Sequence, residues 1–429
     1  MKYFDLLTKN TAIYSTTVIT FGLVIGSFFS YLLQFLLARL LSINDYGAFN
    51  ALISLYVIVS VPILALTTAL IKKVSELRDS DNFKDLSALF IKGSIVSLIF
   101  GLIFGLIIIL FNDSILQYFK LEKETRSVEF FALYVALSFV LLWPTAYLQG
   151  LLRYKAFAFF SALSGIVRFA FPVIFVYFGY RVGGVFLGFS FYVVLMYIIS
   201  LMLLKKNYSN SVSNIIKNHF VDILKLSIIT FFISVGLSLL NNIDVIQVRH
   251  FFGDEPSGIY AAVVTIGKIF LFGAGMITII MFPQISNLKS KNQNFLKRFL
   301  VFLILQIITI LVSWVVFYLF SAQIVSMLFG AQFLVAVPYV FSFSIFVGFY
   351  ILINFLIMYL LAIGDKISWV FLLITAVLQY ILLYYFNSSL EQVIFLNIIL
   401  TGSLLSLLTV YSVFYTFKSL KGQNEALLS

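Results

Sequence analysis

Two cations stand where cations are costly. Arg168 and Lys268 each lie well inside a run of apolar residues, and a charge at such depth costs roughly 2.5–3.5 kcal/mol on insertion scales. Guanidinium and ammonium groups bind carboxylates and phosphates, so the chemistry to look for is recognition of an anion. At helical spacing Arg168 shares its face with Ser161, Ser164, Gly165 and Pro172, a small and polar surface that packs closely or borders water. Lys268 shares its face with Ala261, Thr265, Phe272 and Gly275 and lies about 15 Å deep by helical rise. Two readings compete. In one, a cation from each half of the chain faces a shared central cavity and binds an anionic substrate. In the other the charges are structural: Lys268 pairs with Asp244, or either cation snorkels to the interface.

Four further residues belong to the candidate set. Asp244, beside Asn241 and Asn242, is the one acid well inside an apolar run; it is a candidate coupling group, and equally a partner for Lys268 or Arg249. Gln34 sits at the end of a stripe with Gly22, Gly26 and Ser30 that reads first as a helix contact and second as a cavity group. Arg39 and Arg249 end apolar runs, where snorkelling explains them without any function. Catalytic signals are missing. There is no phosphate-binding loop and no His-Glu-x-x-His, the only histidines are His219 and His250, and cysteine is absent. The sequence therefore implies no catalytic residue, no metal ligands and no cofactor.

The elements that must position these residues are membrane helices. A chain with 62% hydrophobic and 10% charged residues cannot keep a soluble surface wet, and runs of about 20 apolar residues recur throughout. Twelve spans can be laid out, among them 47–71, 156–178, 182–204, 225–247 and 333–362, the last long enough to tilt or to include an interfacial turn. Pro62, Pro172 and Pro338 are expected to bend their helices. Loop Lys and Arg fall about twenty on one side and about six on the other, which places both termini in the cytoplasm. The net charge of +11 is thus topogenic, and nucleic acid is not an expected partner.

The chain also repeats. Arg39 to Phe49 has a counterpart in Arg249 to Tyr260, with Gly47 and Gly258 lying 211 positions apart, and Gly150 and Gly364 lie 214 apart. The expected fold is all-α and polytopic, two six-helix bundles related by a pseudo-twofold axis along the membrane normal. Residues 1–204 form the first bundle, 205–224 an amphipathic cytoplasmic linker, and 225–429 the second bundle.

The segment Leu37-Ala-Arg-Leu-Leu-Ser-Ile-Asn-Asp-Tyr-Gly-Ala-Phe-Asn, with Asp244 through Tyr260 and the following span ending at Phe282-Pro283, resembles the polysaccharide transporter branch of the multidrug/oligosaccharidyl-lipid/polysaccharide (MOP) exporter superfamily. The resemblance extends over the whole chain and points to a Wzx-type O-antigen or capsule repeat-unit flippase. It implies a MATE-like fold with alternating access, a bacterial inner-membrane location and an undecaprenyl-diphosphate-linked oligosaccharide as substrate. Membrane lipids surround such a protein, and a polysaccharide polymerase and chain-length machinery are its candidate partners. Two alternatives stand: a cation-coupled drug exporter of the same superfamily, which the single intramembrane acid against two bases disfavours, and a membrane polysaccharide polymerase, which the short outer loops disfavour.

Overall fold

A computed structural model describes residues 2–121, 126–205 and 216–428, and every regular element in them is helical. In chain order they are α1 (Lys2–Leu40), α2 (Ile43–Val59), α3 (Val61–Asp79), α4 (Phe83–Leu110), the short α5 (Asn112–Tyr118), α6 (Ser127–Ser138), α7 (Leu142–Gly150), α8 (Tyr154–Phe175), α9 (Arg181–Leu204), α10 (Ile216–Leu240), α11 (Ile243–Phe252), α12 (Asp254–Ser290), α13 (Leu296–Phe329), α14 (Val337–Ala362), α15 (Ser368–Tyr385) and α16 (Leu390–Leu428). Among the described residues, ten helical stretches are long and apolar enough to cross a membrane, and the bent pair α2–α3 makes an eleventh. One of the ten, Tyr154–Leu204, is a hairpin. Gly179 and Arg181 take positive φ (89° and 47°), and Gly188 on α9 folds back against Pro172 on α8. Counted as two, it completes the twelve expected spans.

Several spans are broken. The second bends by 44° between α2 and α3, where Pro62 lies in the first turn of α3 and supplies no N–H to the preceding helix. The seventh breaks at Asn241–Asn242 into α10 and α11. The tenth, long enough to include a turn, begins with the 3-10 turn Ala331–Ala336. Pro338 does not bend this span. It sits in the first turn of α14, where a missing N–H costs nothing. Pro172 lies inside a continuous α8. The expected amphipathic linker falls partly on 206–215, outside the described residues. From Ile216 onward there is no separate interfacial helix, because 216–224 is the start of α10 and runs straight into the seventh span.

The chain divides into two compact units, the first of Met1–Leu52 and Val59–Phe231, the second of Ile53–Ile58 and Phe232–Ser429. In the first, α6 packs against both α4 and α9. Phe131 and Tyr134 of α6 meet Phe186 and Phe189 of α9 at ring distances of 5.0 and 5.2 Å. In the second, α14 plays the same part against α12, α13 and α16, with Phe299 and Tyr359 stacked at 3.8 Å. The fourth span of each unit is thus its packing centre. The outward side chains of α4 and α13, such as Leu106 and Ile308, are apolar and exposed, as a hydrocarbon solvent requires.

The repeat has a conformational signature. Leu152 and Gly364 both take positive φ (54° and 95°). Arg153 N–H donates to the Leu148 carbonyl and Asp365 N–H to that of Leu360, closing the same helix-ending motif 212 positions apart. Gly150, which the spacing matches with Gly364, has another task. A Cβ there would stand 2.7 Å from the Cβ of Val74, so this glycine serves the close approach of α7 to α3.

Candidate functional site

The break in the seventh span gathers a cluster of buried polar groups. Where α10 ends, side chains from other helices join the backbone in meeting its last carbonyls, and Asn241 N–H still donates to that of Leu237. Tyr350 of α14 donates its hydroxyl to the Leu237 carbonyl at 3.0 Å, and Gln379 of α15 donates its amide to that of Leu240 at 3.1 Å. Asn242 turns its own amide back to the Ser238 carbonyl. In the first turn of α11 stands Asp244, 1% exposed. Its carboxylate accepts the Tyr260 hydroxyl at 2.5 Å, the Asn397 amide at 3.4 Å and the Val245 N–H at 2.9 Å. Gln379 also donates to Asn397 Oδ1 at 2.9 Å. A broken helix, a buried acid and amide side chains from α15 and α16 therefore converge, each polar group oriented by the next.

Lys268 joins the edge of this network. Its ammonium donates to Asn242 Oδ1 at 3.3 Å and lies within electrostatic reach of Asp244. The lysine is therefore held to the helix break through an amide.

Arg168, in the other unit, is half-buried on α8, with its guanidinium 5.2 Å from the centroid of the Phe189 ring on α9. The small face beneath it is used for packing. Gly165 and Ser161 meet Gly26 of α1, and the Ser164 hydroxyl bonds that of Tyr192 on α9 at 2.8 Å. Arg168 lies beside this contact, its cation over an aromatic face.

The two repeat arginines have diverged. Arg39 is exposed at the end of α1. Arg249 is 1% exposed and does not snorkel. It bonds Ser257 Oγ at 3.0 Å and Asp254 at 3.2 Å, clamping α11 to the start of α12. In the first unit another arginine ties helix ends together, with Arg181 Nε and Nη2 at the start of α9 each 2.9 Å from the Asp45 carboxylate of α2. Gln34 accepts the Tyr46 hydroxyl at 3.5 Å. No group of three or more His, Cys, Asp or Glu suited to a metal ion occurs among the described residues.

Tyr260, Gln379 and Asn397 were not singled out as site residues by the sequence. The available signal was polarity inside an apolar span, which is costly wherever it has no partner.

These elements define the class, a polytopic membrane protein with the fold of MOP-superfamily transporters. An inward-facing multidrug-resistance MATE transporter superposes with a TM-score of 0.72 at 13% identity, over 95% of this chain and 99% of that one. The lipid II flippase MurJ, in an inward closed conformation, gives 0.67 at 17% identity, over 95% and 91%. A MOP transporter from Pyrococcus furiosus gives 0.67 at 12%, over 94% and 96%. No curated protein matches the chain significantly. The chain belongs to the family described as Polysaccharide biosynthesis protein, which it matches over residues 36–338.

Proposed function

We propose that this chain is a flippase that moves undecaprenyl-diphosphate-linked oligosaccharide repeat units across the bacterial inner membrane by alternating access, in the assembly of O-antigen, capsule or a related surface polysaccharide. The observation that carries the reading is the conjunction of membership in a polysaccharide biosynthesis family with a fold shared by MATE transporters and MurJ. The embedded charges support it. Each unit holds one deep cation, Arg168 on its aromatic seat and Lys268 at the helix break, and a diphosphate is an anion both suit. Asp244 is the candidate for coupling. In that role its carboxylate, now held by a hydroxyl and an amide beside a broken helix, would exchange those partners for a cation.

The test is a deletion strain lacking any redundant flippase. It should accumulate lipid-linked repeat units and lose surface polysaccharide, and the wild-type gene should restore both. Normal surface polysaccharide in that strain would end the proposal. Arg168→Glu and Lys268→Glu should fail to complement while reaching wild-type membrane levels. Unchanged complementation would remove these two residues from the substrate path.

A further inference from the structure

Each unit carries a lateral apolar groove, and the two grooves are built from repeat-equivalent residues. The first, of about 490 Å³, runs between α4, α6 with the turn that follows it, and α9. The second, of about 360 Å³, runs between α13, α14 and α16. Phe90 and Leu303, Val140 and Leu352, and Leu201 and Val413 line them in pairs, one pair from each of the three spans, 212 or 213 positions apart. Tyr197 and Thr409 keep the same spacing. The offset is that of the helix-ending motifs at Leu152 and Gly364, so the grooves occupy one place in a duplicated unit.

Their chemistry is that of a hydrocarbon ligand. The hydroxyls of Thr409, Ser412 and Thr416 along the second groove bond to carbonyls of their own helix, so they ask nothing of an occupant. Lining residues such as Ile95, Ile198, Leu300 and Val413 are 44–52% exposed, which leaves the grooves open to the surrounding membrane. Along α4 the first extends from Phe90 to Leu98 and along α13 the second from Leu296 to Ile307, about 12 and 16 Å by helical rise. A single leaflet of hydrocarbon is about 15 Å deep.

Charge marks one end of each groove. Lys84 and Lys297, 213 positions apart, are exposed in the first turns of α4 and α13. Exposed Lys205 follows Leu201 by one turn, and exposed Arg298 and Lys418 flank the second groove. Asp85, the acid of the first turn of α4, is buried against His219 at 3.1 Å. These ends belong to the lysine-rich side of the membrane.

We infer that the two grooves are binding sites for anionic phospholipid of the lysine-rich leaflet, one molecule per unit, with an acyl chain in the groove and the phosphate at the lysines. Two sites per chain, each one leaflet deep, fit an ordinary phospholipid better than a single long polyprenyl substrate. The inference is independent of what the chain transports.

Native mass spectrometry of the purified full chain with added phosphatidylglycerol, phosphatidylcholine or undecaprenyl phosphate tests it. Two phosphatidylglycerol molecules should be retained per chain, with phosphatidylcholine lost. Val140→Trp and Leu352→Trp should each remove one, and Lys84→Ala and Lys297→Ala should each weaken retention about fivefold at one site. Since a bulky variant can misfold, a photoactivatable phosphatidylglycerol on the wild-type chain gives a second readout, with labels expected on α4, α9, α13 and α16. Unchanged retention in both tryptophan variants, equal retention of phosphatidylcholine, displacement by equimolar undecaprenyl phosphate, or labels scattered over all helices would each overturn it.

Discussion

The Tyr260 hydroxyl donates to Asp244 across 2.5 Å, between helices α12 and α11, and Asn397 of α16 reaches both groups at 3.5 and 3.4 Å. Losing the donor to a buried carboxylate costs about 1–3 kcal/mol. Tyr260→Phe should therefore lower thermal stability in detergent, and in an Asp244→Asn background the loss should shrink. Strictly additive losses in that double-mutant cycle would show that the two groups are not energetically coupled.

Gly364 takes φ of +95° at the end of α14. A side chain there meets its own backbone, so Gly364→Ala should destabilise by about 1 kcal/mol. Gly364→Asn should lose less, because asparagine tolerates positive φ. An unfolding series in which alanine is as stable as glycine would contradict this origin.

Asp365 gives a pH dependence. Burial pushes its carboxyl up, but the Tyr411 hydroxyl at 2.6 Å and the Ser368 and Ile367 N–H groups outweigh burial and hold it below the ordinary carboxylate value. A group depressed in the folded state contributes stability that is present above its unfolded value of about 3.9 and lost as pH falls through the folded value. Melting temperatures of wild type and Asp365→Asn should differ at pH 6 to 7 and converge below about pH 4. A gap that persists undiminished in acid would rule out this ionisation as the source.

Arg181 grips Asp45 through two 2.9 Å bonds, with Asp45 8% exposed. The arginine side is 42% exposed, so the pair is worth less than a fully buried one. Asp45→Ala should cost about 1–2 kcal/mol. Arg181→Lys should recover only part, since an ammonium cannot reproduce the fork. Full stability in Arg181→Lys would mean that charge alone matters there.

A Cβ on Gly165 would stand 2.4 Å from the Cα of Gly26. Gly165→Val should therefore push α8 off α1 and lower membrane accumulation, because the clash is with backbone, which cannot rotate away. Wild-type yield and melting behaviour in that variant would refute the packing.

The sequence by itself determined the solvent, the number of spans and the duplication. Apolar runs of bilayer length admit only helices with internally satisfied backbone, and the spacing of Gly47 from Gly258 carries the repeat without any coordinates. The glycine stripe at Gly22 and Gly26 was legible as a helix contact for the same reason, since small residues at four-residue spacing present one flat face. Arg168, Lys268 and Asp244 were legible as candidates because a charge in hydrocarbon needs a cause.

Tertiary structure decided what those charges touch. Lys268 and Asp244 read as a potential ion pair; the lysine donates to Asn242 and stays within electrostatic reach of the carboxylate, which Tyr260 and Asn397 hold. Arg249 and Arg39 look equivalent in sequence, but one is buried in a clamp and the other exposed. The break at Asn241–Asn242 and the convergence of Gln379 and Asn397 upon it depend on contacts across more than 130 positions. Helical periodicity describes the face of one helix. Which polar groups meet is set by how neighbouring helices pack, and that information is spread over residues far apart in the chain.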